Sequence, residues 1–300
     1  MGFETLGGYV PGSPPLQLED GIAVYVPAGS KLVFQMHYTP DGTEREDQSE
    51  VGIVFADPTK IRKTMQSGVV INLDFVIPPN ADNHRVEATH RFSHDMLLYS
   101  LAPHMHFRGK SFRYEAIYPN GTREILLDIP RYDFKWQNNY RLKTPKLMPE
   151  GTQLRVVAHF DNSADNLANP DPLIPVRWGE QTWEEMMIGF FEGVYVGQDL
   201  TLPGPQIVPS GDGQFEVTFR FRPDRRVRNV ALAGTFNEWN NTNAMSEPDK
   251  LGVYSTRLRL RAGTHRYKFV MDKNLWTHDP ASRQLTGIFQ DSYFVLGETE

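Results

Sequence analysis

The chain has 300 residues, no cysteine, 24 glycines, 22 prolines and a formal charge of −6. That length allows about two domains with ample cores, and 39% hydrophobic with 12% aromatic residues exclude wholesale disorder. The missing cysteines exclude disulfides, iron–sulfur clusters and thiolate zinc sites, and the acidic balance speaks against a generic nucleic-acid binder, which needs a basic face.

The opening MGFETLGGYVPGSPP lacks a basic-then-apolar export segment. No run approaches the roughly 18 apolar residues of a membrane span. Beyond it, period two dominates. Val69, Ile71, Leu73 and Phe75 alternate with other residues, and so do Phe112, Tyr114, Ala116 and Tyr118. Pro78–Pro79–Asn80 ends one run, and Pro119–Asn120–Gly121–Thr122 is a hairpin signal. Trp183–Gly189 is the clearest segment that does not read as a strand, and it is too short for a long helix. The pattern predicts an all-β chain of sandwich-like sheets.

Histidines are unevenly placed. Pro103–His104–Met105–His106–Phe107–Arg108–Gly109 follows a strand-like run over Met96–Leu101. Residues i and i+2 of a strand point to one side, so His104 and His106 can present two imidazoles to one ion, a donor pair suited to Zn, Cu, Fe or Ni. A third ligand must come from elsewhere, His159 and Met186 being candidates; a thioether suits a soft redox ion, above all Cu(I). For His159 a hydrogen-bonded structural role is favoured, and His84, His90 and His94 read as solvated loop histidines. Asp161, Asp165 and Asp171 match no calcium-loop spacing and read as a solvated turn. Arg108–Gly109 is expected to shape a turn.

Four segments, FQMHYTP (34–40), APHMHFRGK (102–110), AHFDNSADN (158–166) and WGEQTWEEMMIGF (178–190), resemble, in order and spacing, the copper type II ascorbate-dependent monooxygenases. The resemblance covers roughly residues 5–195. It implies two β-sandwich domains with a copper each. Its oxygen-activating copper ligands match His104, His106 and Met186, which makes these the implied catalytic residues, and one electron-transfer ligand matches His37. The implied reaction is hydroxylation of a C–H bond with O₂ and an external reductant such as ascorbate, on a substrate the sequence does not name. The family suggests a periplasmic or extracellular setting. Two departures matter. No adjacent His-His pair exists, so a His-His-bearing first domain, in cis or in trans, is an expected partner, and the chain is expected to be the C-terminal part of a longer enzyme. The positions that would clamp a peptide carboxylate are Ala102, Ile188 and Phe190, which removes the partner such a group needs when desolvated.

Leu200–Gly213, rich in proline and glycine, reads as a linker. Beyond it the charge changes sign: residues 213–300 hold 13 Lys+Arg against 10 Asp+Glu, leaving 18 against 27 for residues 1–212. Phe215, Val217, Phe219 and Phe221 alternate, and Arg257–Arg261 sets arginines against leucines. VALAGTFNEWN (230–240), GVYSTRLRLRAGTHRYKFVMD (252–272) and NLWTHDPAS (274–282) resemble the glycogen-binding module of the AMP-activated kinase β-subunit type. That resemblance implies an early-set, immunoglobulin-like sandwich. Its sugar platform matches Trp239 and Trp276, with Lys268 donating to hydroxyls and Leu285 folding over the platform. The family's Asn pair reads Gln290–Asp291 here. His278 and Asp279 are expected to fix a turn.

The expected parse is closing strands of a first monooxygenase domain (1–57), a copper-type sandwich (58–199), a linker (200–213) and a carbohydrate-binding-type domain (214–300). Two functions compete: a copper-dependent monooxygenase, or a catalytically inactive protein that binds α-glucan.

Overall fold

A computed structural model describes residues 6–9, 15–27, 29–38, 41–287 and 289–297. Parts of the opening segment, and Thr39–Pro40 of the FQMHYTP motif, lie outside them. The protein is all-β, with a short 3₁₀ turn at Thr235–Asn237. Among the described residues no helix is long and apolar enough to cross a membrane.

Two four-stranded antiparallel sheets form the first sandwich. One runs Gln66–Ile71, Ile188–Tyr195, Met96–His104, Tyr140–Met148 in spatial order; the other runs His84–Arg91, Gln153–Phe160, Gly109–Ile117, Arg123–Ile129. Alternation drives the packing. In Gln153–Phe160 every second residue, Leu154, Val156, Ala158 and Phe160, is fully buried, in one core with Phe112 and Tyr114 of the neighbouring strand and Leu98 and Phe191 of the facing sheet. The Asn120–Gly121 hairpin forms as expected, Gly121 adopting φ 85°, which glycine tolerates without a Cβ clash.

Three segments depart from the sequence reading. Val69, Ile71 and Leu73 face solvent, whereas Val70 and Phe75 are buried. The strand ends at Ile71 and a turn capped by Asn72, whose Oδ1 accepts from the Asp74 amide at 2.9 Å, resets the phase before Phe75. Within 1–57, where closing strands were expected, Ile22–Ala23 is the strand among the described residues, paired in parallel with Lys63–Thr64. Residues 31–38 and 49–57 have no ladder partner and lie exposed. The expected linker contains a strand, Gln206–Gly211, paired antiparallel with Gln214–Phe221. Its hairpin turn is Asp212–Gly213, both at positive φ, a dipeptide that signals such turns.

The second sandwich sets a three-stranded sheet (Gln206–Gly211, Gln214–Phe221, Tyr254–Arg261) against one built from Val230–Gly234, Gly263–Met271, Asp291–Leu296 and Leu285–Thr286, with Leu275–Thr277 on the side of Gly263–Met271. Phe219, Phe269 and Tyr267 fill the space between, and Phe221 stacks on Phe269 at 4.4 Å. Gly263, at φ 134°, carries the chain from one sheet to the other, so the adjacent strands do not pair with each other.

The two sandwiches touch along the 278–290 loop. Gln198 donates from Nε2 to the Ser282 carbonyl at 2.7 Å, the Asp199 amide to the Pro280 carbonyl at 2.7 Å, and the Thr64 hydroxyl to the Arg283 carbonyl. Leu285 is buried as part of the first sandwich's core.

Candidate functional site

His104 ends its strand opposite Ile188, and His106 follows two residues later, with the ring centroids 5.1 Å apart and nearly perpendicular. His104 Nδ1 meets Gln137 Oε1 at 2.6 Å, and His106 Nδ1 meets the Glu184 carbonyl at 3.2 Å. Both partners are oxygens that only accept, because the Gln137 amide nitrogen already donates to the Phe134 carbonyl. Nδ1 of His104 therefore carries the proton and its Nε2 keeps the lone pair, the arrangement that outer partners impose on metal-binding imidazoles, whereas the His106 ring meets a second carbonyl, that of Gln181. Burial lowers both pKa values, that of His104 to about 4, so both rings are neutral at pH 7, the ligand form.

The loop between and beyond the two histidines is heavily tied. Glu185 accepts from the His106 amide at 2.8 Å and from the Arg108 amide at 2.6 Å. Burial raises the Glu185 carboxyl to about 8, against the pull of these amides and the Arg108 charge. Arg108 lies in a turn as expected, the Gly109 amide donating to the His106 carbonyl at 3.2 Å, and it is also fully buried: Nε donates to Asn162 Oδ1 at 2.8 Å and Nη1 to the Trp183 carbonyl at 2.8 Å. The Tyr132 hydroxyl accepts from the Met105 amide and donates to the Met105 carbonyl.

Met186 is half-buried, two residues ahead of Ile188, the ladder partner of His104. Among the described residues no three His, Asp or Glu side chains converge as a metal cluster. His37 lies on the exposed 31–38 segment, and its charge is felt by both His104 and His106. His159 sits on the other sheet, with Nδ1 3.1 Å from Ser111 Oγ. It lines an open groove of about 420 Å³ with Arg85, Arg113 and Arg155, in the structural role expected. The Asp161 and Asp171 carboxylates cap turns, accepting from the Ser163 and Leu173 amides. The solvated reading fails for His90 and His94. His90 packs between Phe92 and Phe191 at 5.1 and 5.0 Å, and His94 meets His278 at the junction of the sandwiches.

The second candidate surface is the outer face of the larger sheet of the second sandwich. Asn237 shapes its approach, accepting from the Gly234 amide at 2.8 Å and donating to the Leu232 carbonyl at 3.0 Å. Glu238 and Trp239 then adopt positive φ, and the Trp239 ring lies on Ala231, Ala233 and Val270. Trp276 pairs with Val270 across the ladder, so it stands on the same face. The two indoles are 6.4 Å apart, inclined at 46°, and Trp276 is 41% exposed.

Lys268 and Leu285 are placed differently. Lys268 pairs with Ala233 on that face but is buried, with Nζ donating to the Phe289 carbonyl and lying 3.6 Å from Asp291. Leu285 turns toward the first sandwich, and Gln290 Oε1 accepts from the Tyr195 hydroxyl. His278 and Asp279 form a turn as expected, Asp279 Oδ1 accepting from the Ala281 amide at 2.8 Å.

Residues 216–291 match the family described as the glycogen recognition site of AMP-activated protein kinase. The matched span contains Trp239, Lys268, Trp276 and Leu285. No curated protein matches the chain. Among solved structures, those of infectious bursal disease virus, Gt and Gx strains, overlap 49% and 48% of the chain and 38% of each virus chain. Both are 9% identical, with TM-scores of 0.21 and 0.20, too low to bear on fold or function. The C-terminal part of the protein is thus a glycogen-binding-type, immunoglobulin-like module.

Proposed function

We propose that the protein binds α-glucan through its C-terminal module, with Trp239 and Trp276 as the platform. The observation that carries this reading is the indole pair, held on one sheet face by a fixed turn and a ladder position, with Trp276 open to solvent. Apolar faces of glucose rings pack on flat aromatic surfaces, and the inclination of the indoles suits a curved chain of such rings. Lys268 orders the same face through Phe289 and Asp291. Co-sedimentation with glycogen tests the proposal. Trp239→Ala and Trp276→Ala are each expected to weaken retention by about tenfold, the order of one lost aromatic contact; retention equal to the parent protein overturns it.

A second reading concerns the first sandwich. His104, with its Nε2 lone pair free and its Nδ1 proton fixed, and His106, neutral beside it, fit two ligand positions of a copper ion, and Met186 fits a soft third one. Copper held there would supply the redox centre for O₂-dependent hydroxylation of a C–H bond with an external reductant such as ascorbate. The chain's own residues hold and orient: Gln137 and the Glu184 carbonyl fix the rings, while Glu185 and Tyr132 fix the loop between them. In that reading residues 58–199 form the copper-type domain, residues 1–57 the edge of a neighbouring one, and residues 214–300 the sugar-directed module. His37 and a His-His-bearing partner domain would serve a second copper.

A further inference from the structure

Two imidazoles, that of His278 buried and that of His94 half-buried, face each other where the sandwiches meet. His94, from the loop before Met96–His104, and His278, from the loop after Leu275–Thr277, have ring centroids 4.5 Å apart, inclined at 66°. The Tyr195 ring closes the cluster, 5.8 Å from His94 and 5.5 Å from His278. His94 Nε2 and His278 Nδ1 are both buried without a hydrogen-bond partner. Neither nitrogen can take a proton here without desolvating a positive charge beside another ring of the same kind.

The surrounding charges sharpen this. Lys268, from Gly263–Met271, acts on both rings, and Lys63, from Lys63–Thr64, acts on His278; Asp95, next to His94, is the opposing charge. Asp291 is engaged with Lys268 and Arg266, and Asp279 accepts from the Tyr267 hydroxyl at 2.6 Å. Glu150 acts on Lys268 from the first sandwich. The contacts that hold the junction shut are few and polar: Gln198 to Ser282, Thr64 to Arg283, Asp199 to Pro280 and Tyr195 to Gln290, around Leu285.

We propose that this junction is a proton-operated latch on the α-glucan face: protonation of the His94–His278 pair releases the segment that carries Ser282, Arg283 and Leu285 from the first sandwich and frees Leu285 and Gln290 at the edge of the sheet that bears that face. The inference rests on the α-glucan reading and adds its regulation. Docked, burial and the neighbouring lysines hold His94 at about 4 and His278 at about 3; released, both return toward the ordinary value of about 6.5. The released state therefore binds more protons below about pH 6.5, so docking is intact above that pH and weakens as the pH falls. Between pH 7 and pH 5 each imidazole shifts the balance toward release by roughly 20-fold.

The test uses the full chain. Amide hydrogen exchange of residues 198–200 and 279–284, corrected for the intrinsic pH dependence, and glycogen co-sedimentation are measured at pH 7 and pH 5. Exchange in both segments and glycogen affinity are expected to rise at least tenfold at pH 5, and the rise is expected to vanish in H94F/H278F. Unchanged exchange in the wild-type chain overturns the latch, whether or not the double variant folds. Faster exchange with no glycogen retained at either pH supports the latch and overturns the α-glucan reading. Retention that is lost in Trp276→Ala but equal at both pH values overturns the control of binding and leaves the α-glucan reading standing.

Discussion

Glu185 holds the backbone amide of His106 at 2.8 Å from a fully buried position 79 residues further along the chain. The same carboxylate takes the Arg108 amide, so one side chain fixes the path of the histidine loop on both sides of Phe107. Above about pH 8, where Glu185 is ionised, Glu185→Gln keeps the shape but turns one acceptor oxygen into a donor facing an amide N–H. A stability loss of about 1–3 kcal/mol is expected, read as a lower urea midpoint with unchanged slope. A midpoint equal to wild type would show that the loop is held by other contacts.

Met186→Ile tests the copper reading without removing bulk. Far-ultraviolet circular dichroism is expected to stay the same, while Cu(I) affinity, measured by competition with a chromogenic chelator, falls tenfold or more, as the loss of a soft ligand requires. No copper uptake by the parent protein, or equal uptake by the variant, removes Met186 from any ligand set.

Gly68 lies under the ring of Phe191: a Cβ there would sit 2.2 Å from Cζ. The ring has no room to yield, since His90 packs at 5.0 Å and Phe92 at 5.5 Å. Gly68→Ala is expected to destabilise the first sandwich by about 1–3 kcal/mol through overpacking. A thermal midpoint within a degree of wild type contradicts that packing.

The lack of cysteine makes a clean crosslink available. A Cβ on Gly204 would lie 3.9 Å from Ala281 Cβ, close to the mean of about 3.8 Å in disulfides. The double variant Gly204→Cys/Ala281→Cys is expected to oxidise spontaneously in air, leave no free thiol, and gain about 2–4 kcal/mol over its reduced form. Persistent free thiols in the folded protein would place the two backbones further apart.

What the sequence makes legible is local. Alternation places the strands at 109–117 and 214–221, and the His-x-His spacing and the two tryptophans mark the two candidate surfaces. Less legible is whatever depends on distant pairing. Gln137 reaches His104 from 33 residues away and His278 reaches His94 across the module boundary, with no spacing rule to announce either. The turn at Arg108 is legible, but the burial of its side chain is not, because its partners, Asn162 and Trp183, are remote in sequence. Val69, Ile71 and Leu73 do not share the buried face of Phe75 because an Asx turn shifts a two-residue period by one. Asp212–Gly213, by contrast, is a turn signal that sequence reading passed over in favour of the prolines around it.

The unpaired stretch from Val51 to Phe55 has a consequence for handling the protein. Val54 is 97% exposed and Phe55 90% exposed, next to Val51 and Ile53, with no charge among the five residues. Such a segment pairs with its own copies when the chain is concentrated. Purified protein is therefore expected to self-associate, with particle size by light scattering rising with concentration, and Val54→Lys is expected to restore a constant size.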